Sequence, residues 1–204
     1  MIEVKPELNE TLKTIHNRRS IRSFTNQDVP DEAIFTILQA ANLAPSAHNQ
    51  QSWRFFVLKG EKKTALAELV TTNAATFPKH TSALLRMASR SIISAPVVVA
   101  VSNTGELINR GKELFEMDNS EVKDFFRIME IQSSAAAVEN MLLAATSIGL
   151  SSVWLGVLIM IQKQVLEFLE IPQGEFMAVV PVGYAARLSS GPKKRELDVV
   201  VKYL

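Results

Sequence analysis

Arg18-Arg19-Ser20-Ile21-Arg22 places three guanidinium groups and a hydroxyl within one turn of chain. Guanidinium clamps phosphate oxygens with paired N–H bonds, and a neighbouring serine adds a short hydroxyl donor. The chemistry this cluster suits is anion binding. Taken alone, it equally describes a solvated basic turn. A second basic run, Lys193-Lys194-Arg195, closes the Gly, Ser and Lys loop that begins at Gly183, and it reads as another anion clamp or as a solvated loop. Between the two, the polar segment Ala44–Trp53 offers Ser46, Asn49 and Gln51. Such neutral groups can read the edge of a heterocycle, or satisfy their own backbone in a turn.

No side chain in the sequence presents itself as the reactive group. The chain has no cysteine, which excludes disulfides, thiolate zinc sites, iron–sulfur clusters and cysteine nucleophiles. His16, His48 and His80 stand singly, without H-x-x-x-H or H-E-x-x-H spacing. There is no G-x-S-x-G, no G-x-G-x-x-G after a strand and no G-x-x-x-x-G-K-[ST]. No pair of carboxylates stands out as an acid/base couple. An enzyme built from this sequence must borrow its reactivity from a cofactor.

The totals agree with one globular domain over residues 1–204. Apolar residues make up 47% and charged residues 21% of the 204. The formal charge of +1 argues against nucleic-acid binding, which needs a basic surplus on one face. Met1–Pro6 carries no signal-peptide core, and the long apolar run Ile131–Leu150 is broken by Gln132, Ser133, Ser134, Glu139 and Asn140, so no membrane partner is expected. The absence of cysteine fits a reducing, cytoplasmic setting.

The elements that must position these groups follow from periodicity. Asn9–Asn17 reads as a short helix, and Pro30 opens a second whose stripe is Ile34, Ile37, Leu38 and Ala41, ended by Pro45. Trp53–Leu58 and Val97–Val101 read as strands, the latter buried on both faces. Helices are expected at Glu61–Ala75, Thr81–Arg90 and Gln162–Leu169, the last closed by Pro172 and Gly174. Residues 103–127 read as an excursion of short helices, Ile131–Ile148 as a long buried helix stopped by Gly149, Ser151–Leu155 as a short strand, and Phe176–Val182 as a strand interrupted at Pro181. Residues 196–204 form an extended apolar tail that should lie against something, such as another subunit. The order is α+β and not a βαβ ladder.

Taken together, R-R-S-x-R, A-P-S-x-x-N-x-Q-x-W, N-x-L-L-A-A, G-L-x-x-x-W-x-G and V-G-Y-x-A followed by a late basic residue resemble the FMN-dependent nitroreductase family. Here they are Arg18–Arg22, Ala44–Trp53, Asn140–Ala145, Gly149–Gly156 and Val182–Arg195. The resemblance implies a nitroreductase-like fold: a central, mostly antiparallel sheet flanked by helices, in a homodimer with a domain-swapped C-terminal tail. It implies FMN at the subunit interface and NADH or NADPH as electron donor. Arg18 and Ser20, with Arg19 alongside, would hold the FMN phosphate, completed by Arg195 and Lys193. Arg22 would face the N1/C2 edge of the flavin, where a cation stabilises the reduced, anionic ring. Pro45, Ser46, Ala47 and Asn49 match the loop that the partner lays on the flavin, and Leu155 and Gly156 match the backbone near N5. The chain departs from the family pattern at Ala47, where serine is frequent, and at Ser52, where proline is frequent. Many relatives carry an acid near the start of the long helix, at the position of Gln132. The excursion 103–127 varies among relatives and often covers the flavin, which makes Phe115, Phe125 and Phe126 candidates to shape the pocket, or simply core residues.

The implied reaction is ping-pong hydride transfer through flavin N5, from NAD(P)H to nitroaromatics, quinones or activated alkenes. Alternatives on the same fold are reductive dehalogenation, flavin fragmentation, or flavin sensing and storage without turnover. A structural helical dimer without flavin remains the non-enzymatic reading.

Overall fold

A computed structural model describes residues 8–115, 120–171 and 173–204. Among them, α1 (Glu10–Asn17) and α2 (Asp31–Asn42) precede β1 (Trp53–Leu58). Then come α3 (Gly60–Ala74), α4 (Lys79–Ser94), β2 (Val97–Asn103), α5 (Glu106–Phe115) and α6 (Ser120–Ser147). The chain continues with β3 (Ser151–Ser152), α7 (Gln162–Phe168), β4 (Glu175–Gly183) and α8 (Leu197–Val200). The four strands form one sheet in the order β1-β2-β4-β3, and every neighbouring pair is antiparallel. This is the α+β arrangement expected from the sequence.

β2 is buried along its whole length, and its alternation divides the core in two. Val98 and Ala100 pack with Leu66, Val70, Leu85 and Ile92 of α3 and α4. Val97, Val99 and Val101 pack with Ile34, Ile37 and Ala41 of α2 and with Val138, Met141 and Ala145 of α6. A strand covered on both faces reads as a continuous apolar run, which is why Val97–Val101 was legible without alternation. Lys63 of α3 fastens the other layer: its ammonium donates to the carbonyls of Ile93 and Ala95 at the end of α4, and burial lowers its pKa.

Several boundaries differ from those read in the sequence. α6 begins at Ser120, so the second half of the excursion belongs to the long helix. Its buried stripe runs Val122, Phe126, Glu130, Ser134, Ala137, Met141 and Ala145. Polar residues in mid-stripe broke the apolar pattern and hid the first turns. α2 stops at Asn42, before Pro45. β3 contains only Ser151 and Ser152, although Leu155 makes an isolated bridge to Val179. β4 runs unbroken through Pro181, whose carbonyl faces β3 and accepts from Val153 N. In an antiparallel pair a residue's N–H and C=O point to the same side, so the missing proline donor faces the short β3 and leaves the β2 ladder whole. In the tail, Leu197–Val200 is a short helix and not an extended strand. Pro172 lies outside the described residues.

α5 packs on α6 without a gap. A Cβ on Gly111 would overlap the Phe126 ring, so glycine is what lets the two helices meet. Phe126 is fully buried, whereas Phe115 and Phe125 stand half exposed around it. The three rings meet edge to face or tilted, with centroids 5.1–6.2 Å apart.

Candidate functional site

The basic turn follows α1 directly. Asn9 caps that helix by accepting from Leu12 N at 2.9 Å, and Arg18 N closes it on Thr14 O at 2.9 Å. The chain then runs beside β3: Ser20 bridges Ser152 in parallel, and Ile21 N donates to Ser152 O at 3.0 Å. Ile21 and Phe24 are buried, while Ser20 and Arg22 between and beside them are exposed. The alternation thus fixes which side chains of the turn reach outward. Leu155 and Gly156 lie beyond β3, and the bridge from Leu155 to Val179, which itself stands opposite Ala100, puts them alongside the middle of the sheet. Leu155 is held by its N–H on Val179 O at 2.9 Å. Gly156 is exposed, and its N–H meets no acceptor among the described residues.

The C-terminal loop is brought to this end by main-chain bonds. Thr25 N donates to Tyr184 O at 2.8 Å and Ala186 N to Ser23 O at 3.0 Å. Arg19 completes the clasp. Its Nε donates to Ser190 O at 2.6 Å, and its Nη1 donates to His16 O at 2.5 Å and Arg18 O at 2.8 Å. Gly191 makes room for it, because a Cβ there would stand 3.0 Å from Arg19 Cδ, and its φ of +70° suits glycine alone. Lys193 and Arg195 follow on the same exposed segment. A cleft of about 410 Å³ lined by Arg19, Ser151, Leu188, Ser189 and Ser190 lies between turn and loop.

The donors left over decide what this end of the sheet can hold. Arg22 and Arg195 have no acidic partner among the described residues, and the Ser20 hydroxyl has no bond. Arg18 meets Glu139 at 3.6 Å, a long contact between partly exposed groups, and Lys193 meets the exposed Glu196 at 2.7 Å. Exposed pairs of that kind are worth at most about 1 kcal/mol and exchange readily for a stronger anion. Spare guanidiniums, a free hydroxyl and a free glycine N–H fit a phosphorylated heterocycle such as FMN. Arg19 differs from its neighbours, because its guanidinium is already engaged with main-chain carbonyls.

Ala44–Trp53 lies at the opposite end of the sheet. Trp53 pairs with Asn103, whereas Ser152 pairs with Val182 beside Val97. The length of β2 separates the two ends, about 20 Å at 3.3 Å per residue. The loop is rigidly built. Ala47–Asn49 makes a single 3₁₀ turn, and His48, Asn49 and Gln51 all have φ near +52°, a left-handed conformation uncommon outside glycine. Ser46 Oγ accepts from Gln51 N at 3.1 Å, and Gln51 Nε2 donates to Asn49 Oδ1 at 3.1 Å. Trp53 Nε1 donates to Asn42 Oδ1 at 3.0 Å, tying the loop's far side to α2.

Sequence reasoning did not single out the residues that hold this loop. Ser133 Oγ accepts from Ala47 N at 3.1 Å and donates to Met129 O at 2.7 Å. Arg110 of α5 donates to Gln50 Oε1 at 3.0 Å. His48 lies 6.5 Å from Phe126, centroid to centroid. Gln132, by contrast, is exposed on α6, while Ser133 and Ser134 beside it turn inward. Asn140 proves to be an inter-helix tie, donating to Ala40 O at 3.1 Å.

The family model described as the nitroreductase family matches residues 15–184. A protein of Archaeoglobus fulgidus, named for an NADH dehydrogenase/NAD(P)H nitroreductase, is 32% identical over 180 residues, spanning 87% of this chain and 86% of the relative. The crystal structure of a Desulfovibrio desulfuricans nitroreductase in complex with FMN superposes with a TM-score of 0.72 at 28% identity, covering 97% of this chain and 98% of that one. A BluB-like flavoprotein of Clostridium difficile superposes at 0.76 with 25% identity, covering 94% and 97%. With a matched segment that runs from α1 through β4 and takes in the basic turn, the loop before β1 and the Leu155–Gly156 backbone, the chain belongs to the nitroreductase family of oxidoreductases.

Proposed function

We propose that the protein is an FMN-dependent NAD(P)H oxidoreductase acting as a homodimer on small electron-poor acceptors such as nitroaromatics and quinones. The observation that carries this is the set of free or weakly paired donors on the basic turn and on the C-terminal loop that Arg19 clasps to it: Arg18, held only by the 3.6 Å contact with Glu139, Ser20, Arg22 and, further along the loop, Arg195, together with the free Gly156 N–H. Arg18, Ser20 and Arg195, with Lys193, hold the phosphate. Arg19 acts by clasping the C-terminal loop to the turn, which brings the two basic runs to one anion. Arg22 places a fixed positive charge against the ring's N1/C2 edge. The free Gly156 N–H would be a donor available to the ring, and the absence of a side chain there would allow a close approach.

FMN, once bound, would supply the two-electron redox chemistry between NAD(P)H and the acceptor. The protein's contribution is position and electrostatics. Pro45, Ser46, Ala47 and Asn49 need a second copy to reach that site, because in their own chain they stand one strand length away. The exposed apolar side chains Phe35, Leu43, Leu197, Val199 and Tyr203 supply surface for that pairing. α5 and the start of α6 pack on the loop through Ala47, against Leu107, Val122 and Phe126, with Phe115 and Phe125 half exposed around Phe126.

The test is an anaerobic titration of the FMN-loaded protein with NADH and NADPH. The visible flavin band is expected to bleach with one equivalent per site and to return when a quinone is added. A yellow protein that neither nicotinamide bleaches contradicts the proposal.

A further inference from the structure

Glu130 stands in the buried stripe of α6 where an apolar residue would be expected. It is 1% exposed and makes no ion pair among the described residues. Its Oε1 accepts from Leu107 N at 2.8 Å, in the first turn of α5, and its Oε2 has no hydrogen-bond partner. Ser52, between the loop Ala44–Gln51 and β1, is also buried with an unpaired hydroxyl. That hydroxyl lies close enough to favour a charged Glu130, yet not in hydrogen-bonding geometry. Asn103 completes the junction: its Oδ1 accepts from Ser134 Oγ, its Nδ2 is unpaired, and Thr104 N after it donates to Ser52 O at 2.9 Å. Buried polar atoms without partners are rare in folded chains. Here Ser52, Asn103 and Glu130 each carry one, where α5, α6, β2 and the loop before β1 meet.

We propose that Glu130 is a positioning residue, which through Leu107 and Ser52 sets the distance between the α5 cover and the loop Ala44–Trp53, and so the access of the electron acceptor. Position matters because this loop and α5 touch at few other points: Arg110 on Gln50, and Ala47 against the Leu107, Val122 and Phe126 cluster. A carboxyl fits the task in its neutral form, since it can accept from Leu107 N and donate to Ser52 Oγ at once. Burial raises the Glu130 pKa, opposed by the bond from Leu107 N and by the nearby Ser52 hydroxyl and Gly105 N–H, and Glu175 of β4 adds a like charge. The nearby cations are engaged elsewhere: Arg127 of α6 with Glu175, Arg54 of β1 with Glu106 of α5 at 2.9 Å, Arg110 with Gln50. His48 lies beside Phe126, 6.5 Å between ring centroids. With its folded pKa raised, Glu130 stabilises the fold fully below the usual glutamate range. That contribution is lost as pH rises through the raised value.

The kinetic part of the test rests on the reductase reading; the exchange part does not. In FMN-loaded Glu130→Leu, the acceptor KM is expected to rise about tenfold, with kcat changed less than about threefold. The amides of α5 should lose hydrogen-exchange protection about tenfold. Glu130→Gln keeps an acceptor for Leu107 and a donor for Ser52, so it should restore both values. The wild-type acceptor KM should rise with pH above the glutamate range, and Glu130→Gln should abolish that rise. If Glu130→Leu does not fold, Ser52→Ala serves, with the same pattern at smaller size. Wild-type KM and wild-type α5 exchange in Glu130→Leu or Ser52→Ala overturn the proposal, as does a Glu130→Gln enzyme whose pH profile matches the wild type. A protein that NAD(P)H fails to reduce at all refutes the reductase reading instead.

Discussion

Apoprotein carrying Arg18→Ala together with Arg195→Ala is expected to bind FMN about 10²–10⁴-fold more weakly than the wild type, since each hydrogen bond to a charged group contributes about 1.5–3 kcal/mol. The two residues come from opposite ends of the chain, and nothing in their own ion-pairing explains them. Arg18 has only the 3.6 Å contact with Glu139, and Arg195 has no acidic partner among the described residues. If both grip one phosphate, the single substitutions should not add to the double, because they share a partner. Equilibrium dialysis or flavin fluorescence on the single and double variants reads this directly. Folding should be little affected, since exposed pairs of this kind contribute at most about 1 kcal/mol. A double variant that purifies as yellow as the wild type would leave the phosphate site without support.

The second large effect is expected at Arg22. Its side chain is exposed beside buried Ile21 and Phe24 and is without an acidic partner among the described residues. A fixed cation about 4 Å from a developing anion contributes about 1 kcal/mol in water and about 4 kcal/mol near a protein surface. For a two-electron couple that corresponds to a fall of about 20–90 mV in the bound flavin's potential when Arg22 becomes Ala. Hydride transfer from NAD(P)H should slow by about fivefold or more, with FMN binding changed far less. Arg22→Lys should recover most of the potential, because a point charge suffices, whereas Arg18→Lys should not fully recover phosphate binding, which uses the guanidinium fork. Redox titration of the FMN-loaded variants against a reference dye checks both statements. An unchanged potential in Arg22→Ala would remove Arg22 from the ring's edge.

The elements most easily read in the sequence are those whose core pattern is unmixed. β1 runs Trp53–Leu58 as expected, and the all-buried β2 announced itself through its valines. The long helix was legible only from Ile131 onward, and its first turns from Ser120 were not, because Glu130 sits in its buried stripe and, with Ser133 and Ser134 after it, interrupts the apolar period. Those same residues hold the loop before β1 and the start of α5. A local break in the pattern therefore marked a junction and not a helix end. Motif order exposed the basic turn and the loop before β1, but not what fixes them. The bond from Ala47 N to Ser133 Oγ spans 86 residues, and that from Arg19 Nε to Ser190 O spans 171. No periodicity reports contacts of that range. Arg19 shows the limit from the other side: Arg18 and Arg19 read alike as phosphate ligands, yet the fold turns Arg19 onto main-chain carbonyls. Pro181 likewise read as an interruption, and the antiparallel geometry absorbs it because its missing donor faces a two-residue strand.

The most direct measurement compares FMN with riboflavin on the wild-type apoprotein, by fluorescence titration at several salt concentrations. The two ligands share the isoalloxazine ring and differ by the phosphate alone. With Arg18, Ser20 and Arg195 around that phosphate, FMN should bind at least about 100-fold more tightly, and its advantage should shrink as salt rises. Equal affinity for the two ligands, unaffected by salt, would contradict the account.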